Sequence, residues 1–240
     1  MPKPRSKLLY IAIVAAAVVA LLVLLSREAV EFKDIGTGLL ALVGTITGAT
    51  LAFRLNESRE REREDANRRT ALNAALFLLA RQWNALRQLE RDLAPYKTPF
   101  DRAFNLPALK PPPYTELHIR FESLDFMLAS EHVNVLLRLS VEQERFHQTI
   151  ASLDVRNDFY VTELQPALAS LKLNGKSLTL AESQTVLGER LFGTSMSSAE
   201  TFYMHLTSTL TSLREMHAEL RGVAKALYPE HKFVQFSEDA

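Results

Sequence analysis

LLYIAIVAAAVVALLVLL (8–25) and IGTGLLALVGTITGATLAF (35–53) stand almost back to back at the start of the chain, and neither carries a charge. A helix rises ~1.5 Å per residue and a bilayer's hydrocarbon core is ~30 Å thick, so each run is long enough to cross as a helix. Only residues 26–34 separate them. The expected arrangement is an all-α chain. A two-helix transmembrane hairpin (1–54, spans about 8–25 and 35–53) leads into a charged helical neck (55–71), a helical bundle domain (72–228) and a tail (229–240).

Basic residues set the direction of the hairpin. Lys3, Arg5 and Lys7 precede the first run, and Arg54, Arg59, Arg61 and Arg63 follow the second. The connector holds only Arg27 and Lys33. Lys and Arg near span ends mark the cytoplasmic side, so both termini are expected in the cytoplasm of a bacterial inner-membrane, two-pass protein. A cleaved signal peptide is the rival reading of the first run. Its apolar core is long for one, and no A-x-A pattern follows Leu25.

Inside lipid, close backbone approach holds helices together, because burying apolar surface gains nothing there. Ala12, Ala16 and Ala20 on the first span face this requirement, as do Gly44, Gly48 and Ala52 on the second. The two small-residue stripes could pack on each other, or the glycine stripe could meet another protomer. Thr37, Thr45, Thr47 and Thr50 add hydroxyls that ordinarily bond back to their own helix. In an oligomer they could line a narrow wet path, but no ionisable residue lies in either run.

NESREREREDANRR (56–69) follows with no glycine or proline from Ala49 to Ala94. One unbroken helix is expected, supported by the acid-first i,i+4 pairs Glu57–Arg61, Glu64–Arg68 and Asp65–Arg69. An apolar stripe then begins with Leu72, Leu76, Leu79, Trp83, Leu86 and Leu93, and Leu89 fills the gap. Its steps of three and four are heptad-like, the pattern of a bundle or coiled-coil seam. Pro95 and Pro99 forbid continuation. A proline-punctuated crossover reaches Tyr114 and includes Pro111, Pro112 and Pro113.

Leu117, Ile119 and Phe121 alternate with polar residues, yet a lone strand has no sheet to join. They read as an extended lead-in to a short helix near Ser123. A further short helix (131–139) has Ser130 as its cap. Ser140 with Gln143, Thr179 with Glu182, and Ser197 with Glu200 are spaced as capping boxes. They would open a long helix that Pro166 kinks or restarts and Asn174–Gly175 ends, a helix closing at Gly193, and a final helix. The final stripe is Phe202, Leu206, Leu210, Leu213, His217, Leu220, Ala224 and Leu227. Leu72, Leu76, Leu79, Trp83, Leu86, Leu206, Leu213 and Leu220 are the candidate bundle or oligomer-interface residues, with the first and last long helices antiparallel.

Function classes narrow by elimination. Lysine plus arginine equal aspartate plus glutamate, giving no net charge, so nothing favours nucleic acid. Cysteine is absent, which removes disulfides, thiolate metal sites and cysteine catalysis. The six histidines are read as forming no His-x-x-x-His or Glu-x-x-His pair at ligand spacing. There is no phosphate-binding Gly-rich loop, nucleophile elbow or kinase set. Asp154, Arg156, Asn157 and Asp158 form a polar cluster of low specificity, and Asn157 or Asn134, if buried, would fix register. No catalytic residue, metal or cofactor is assigned. The partners expected are the lipid bilayer and either further copies of the chain or another protein. The leading expectation is a non-enzymatic, membrane-anchored interaction or scaffold protein. The alternative is an oligomeric membrane effector or channel whose second span lines a pore.

Overall fold

A computed structural model describes residues 19, 23, 32–109, 117–173 and 179–236. It divides into two compact units, Met1–Glu64 and Asp65–Ala240. The described residues are helical or irregular, with no strand among them.

Helix α1, Phe32–Leu93, is unbroken through the neck, as the absence of glycine and proline after Ala49 requires. In the first unit its described side chains are exposed from 37 onward, apart from half-buried Thr50 and one position left undescribed. Thr45 donates to the Ala41 carbonyl at 2.8 Å and Thr50 to that of Ile46 at 2.7 Å. Arg61 pairs with Glu57 on the exposed neck.

The transmembrane hairpin finds no support here. Among the described residues, no helix is long and apolar enough to cross a membrane. Glycines 38, 44 and 48 and four threonines dilute the second run, and Arg54 closes it. Of the first run only Val19 and Val23 are described, both helical, so Ala12, Ala16 and Ala20 lie outside the described residues. A Cβ built on Gly44 or Gly48 meets nothing within 4 Å, and Ala52 is exposed, so nothing packs on that stripe in the described structure.

The second unit is a helical bundle. Leu72, Leu76, Leu79 and Leu86 of α1 are fully buried, joined by Leu89 and Leu93. Helix α2, Val133–Phe159, and helix α4, Leu180–Leu227, complete the core with Leu139, Phe146, Leu153, Phe202, Leu206, Leu213 and Leu220. The short α3, Gln165–Ser170, lies between them. α2 and α4 are antiparallel, because Arg138 pairs with Glu219, Glu142 with Ser212, and Thr149 with Thr209. α1 also opposes α4. The Tyr228 hydroxyl reaches Asp65 at one end, and Tyr203 shares a cavity with Leu93 at the other.

The extended lead-in is satisfied without a sheet. Leu117 and Ile119 are buried, and their backbone groups need partners. Gln82 donates to the Leu117 carbonyl at 2.8 Å and Gln143 does so at 3.2 Å. The Gln143 amide oxygen accepts from the Ile119 N–H at 3.0 Å. Two glutamine side chains thus replace a neighbouring strand. A 3-10 turn, Phe121–Met127, follows.

That use of Gln143 explains one failed expectation. The Ser140–Gln143 box does not form and α2 runs straight through it, with Ser140 donating to the Leu137 carbonyl. Pro166 restarts the helix, standing in the first turn of α3. A π-helical turn, Tyr160–Leu164, precedes it and absorbs the missing N–H and the ring's bulk.

The Thr179–Glu182 box is present, with Thr179 N–H donating to Glu182 at 2.8 Å. That hydrogen bond and the one from the Thr179 hydroxyl hold the Glu182 carboxyl below its ordinary range. α4 bends at Gly188 (φ 74°, ψ 163°) and does not close at Gly193. Phe192 stacks on Phe104, and Glu200 is taken by Arg102, so the Ser197–Glu200 box never forms.

Candidate functional site

Two buried arginines organise the crossover after α1. Arg156, on α2, is 2% exposed. Its guanidinium donates to the carbonyls of Pro107 (2.8 Å), Arg102 (3.4 Å) and Leu106, and to the Asn157 side-chain oxygen (3.2 Å). It lies 4.8 Å from the centre of the Tyr160 ring. Asn157 grips the same segment, accepting from the Leu109 N–H at 3.2 Å and donating to its carbonyl. Among the described residues no carboxylate pairs with Arg156. Burial pushes its pKa down, opposed by the Tyr160 and Tyr96 phenols.

Arg102 sits on the crossover itself. It donates to the carbonyls of Tyr96 (3.5 Å) and Lys97 (3.0 Å), pairs with Glu200 at 2.9 Å, and lies 3.9 Å from the centre of the Tyr203 ring. Its Nε–H is buried without a partner. A π-helical turn, Asp101–Asn105, presents it. Sequence reading missed this turn, although Thr98-Pro99-Phe100-Asp101 carries the signal. Thr98 and Asp101 are spaced as a capping pair with proline at the first helical position. The Thr98 hydroxyl accepts from the Asp101 N–H at 3.0 Å. Hydrogen bonds from the Thr98 hydroxyl and Asn105 lower the Asp101 pKa.

The tail closes the other side. The Val234 N–H donates to the Asn73 side chain at 2.9 Å, and Phe236 lies 5.3 Å from Trp83 and 4.0 Å from His217. His217 is 2% exposed, and its Nε2 has no partner. Burial, with Arg221 adding a like charge, pushes its pKa down to about 4. His118 and His147 stack at 4.2 Å, and burial lowers the His147 pKa, helped by His118.

The structure gathers the bundle candidates into this chain's own core. Leu72, Leu76, Leu79, Leu86, Leu206, Leu213 and Leu220 are buried, while Trp83 is half-buried under the tail. Leu227, the end of the final stripe, is exposed. Asn134 is exposed and fixes nothing, and Asp154 and Asp158 are exposed on α2. Glu144 and His147 do have Glu-x-x-His spacing, but among the described residues no three His, Asp or Glu groups converge as metal ligands. No protein-family model matches the chain, and neither does any curated protein or solved structure.

Proposed function

We propose that this chain is a membrane-anchored helical interaction module. Residues 8–25 and 35–53 form the anchoring hairpin, with both termini in the cytoplasm of a bacterial cell. The bundle binds a protein partner or a second copy of itself, and no catalysis is assigned to it.

One observation carries the reading. On the helix of the first unit, Leu40 (76%), Val43, Leu51 and Phe53 (71%) are exposed. Large apolar side chains this exposed call for a cover of lipid or protein. The bundle core, by contrast, is already filled by its own leucines, which leaves the outer faces of the helices for a partner.

A channel-like oligomer is the second reading. It is favoured by the open space beside Gly44 and Gly48, which could admit a neighbouring helix. Against it, Thr45 and Thr50 spend their hydroxyl protons on their own helix.

Alkaline extraction of bacterial membranes containing the full chain tests the anchor, alongside a reporter fused after Ala240. Retention in the membrane pellet with a cytoplasmic reporter is expected. Release into the alkaline wash, or an external reporter, overturns it. Crosslinking in intact cells then separates a ladder of this chain from a heterologous adduct.

A further inference from the structure

A cavity of about 450 Å³ opens at the C-terminal end of α1, lined by Arg87, Glu90, Arg91, Tyr96, Lys97, Arg102 and Tyr203 among others. Such a volume falls in the range of small-molecule pockets. Its charges do not cancel. Glu90 answers Arg87 and Glu200 answers Arg102. Arg91 and Lys97 have no carboxylate partner among the described residues.

Cations near a helix C-terminus are favoured by the backbone dipole alone, which accounts for Arg87 and Arg91. It does not account for Arg102, which comes from another element, is 7% exposed and keeps an unpartnered N–H. Nor does it account for Arg156, a buried cation without a carboxylate that donates to the Arg102 carbonyl. A buried guanidinium is ordinarily offset by an anion. Here Arg102 has a single glutamate, Glu200, whose side chain is 47% exposed, and Arg156 has no carboxylate among the described residues.

We propose that this cavity binds a small phosphorylated anion. Arg102 is the fixed element. Two carbonyls, Glu200 and the Tyr203 ring hold it, so little freedom is lost when a ligand arrives. Arg91 and Lys97 are exposed and close on the phosphate oxygens with charge-assisted hydrogen bonds. The Tyr96 and Tyr203 phenols supply further donors at the wall. A free phosphorylated metabolite and a phosphorylated lipid headgroup present the same chemistry.

Pyrophosphate is the probe, titrated calorimetrically into the purified full chain at ionic strength held constant with sodium chloride. One-site binding below about 1 mM is expected. The Arg91→Ala/Lys97→Ala double variant should bind about tenfold more weakly or worse. Its unfolding midpoint without ligand should stay close to the parent's, since both side chains are exposed and only the small contribution of Arg91 at the helix end is lost. Vesicles of phosphatidylcholine with a phosphoinositide distinguish the source. Capture that pyrophosphate competes away assigns a lipid headgroup, and failure of capture beside pyrophosphate binding assigns a free anion. No binding of pyrophosphate up to about 10 mM, or equal affinity in the double variant, overturns the proposal.

Discussion

Replacing Arg156 with methionine tests how the crossover is held. The change keeps most of the side-chain volume and removes every donor. Three carbonyls lose a hydrogen bond, those of Arg102, Leu106 and Pro107. Pro107 is exposed and can turn to water, while Arg102 and Leu106 are buried. A buried acceptor left unpaired costs ~1–3 kcal/mol, so the two together cost roughly 2–6 kcal/mol. Removing a desolvated guanidinium returns part of this, because taking the charge out of water is itself worth several kcal/mol before pairing. The expected net loss is about 2 kcal/mol. Urea unfolding of the full chain followed by circular dichroism measures it. Hydrogen exchange locates it, with protection falling over residues 98–109 while the middle of α2 is unchanged. A variant as stable as the parent, with the same exchange over 98–109, would refute the view that Arg156 works by satisfying main-chain carbonyls.

Two further outcomes follow from single groups. His217 has a folded pKa of about 4 against an ordinary 6.5. Above pH 6.5 both folded and unfolded chains hold it neutral, and it adds no pH dependence. As pH falls toward 4 only the unfolded chain takes the proton, so stability drops at up to about 1.4 kcal/mol per pH unit and levels off below. With some solvent screening the total is ~2–3 kcal/mol. His217→Gln should abolish this part of the acid loss, measured as the difference between the two proteins' unfolding midpoints from pH 7 to 4, and parallel curves would contradict it. Gly188→Ala should cost ~1–3 kcal/mol, because φ 74° with ψ 163° is a region that only glycine occupies comfortably. No atom lies within 4 Å of the added Cβ, so the loss is backbone strain and not a clash. An unchanged thermal midpoint would mean that the bend relaxes freely.

Sequence by itself determined the elements whose causes are local. The steps of Leu72, Leu76, Leu79 and Leu86 place them on one face of a helix, and that face is buried. The Thr179–Glu182 box forms because both partners lie within one turn and nothing else claims them. Beyond Ala49, α1 runs on unbroken through a stretch that holds no glycine or proline. Wherever a side chain had a better partner far along the chain, only the tertiary structure decided. Gln143 leaves its local box for the backbone of Leu117 and Ile119, Glu200 leaves its box for Arg102, and α4 passes Gly193 because Phe192 rests on Phe104. Arg156 shows the same division. Its sequence context reads as a polar helix face, and its burial becomes clear once the crossover brings three carbonyl oxygens around it. A local pattern specifies a helix through backbone geometry within a few residues, whereas a buried polar group is settled by whichever distant partner relieves its desolvation.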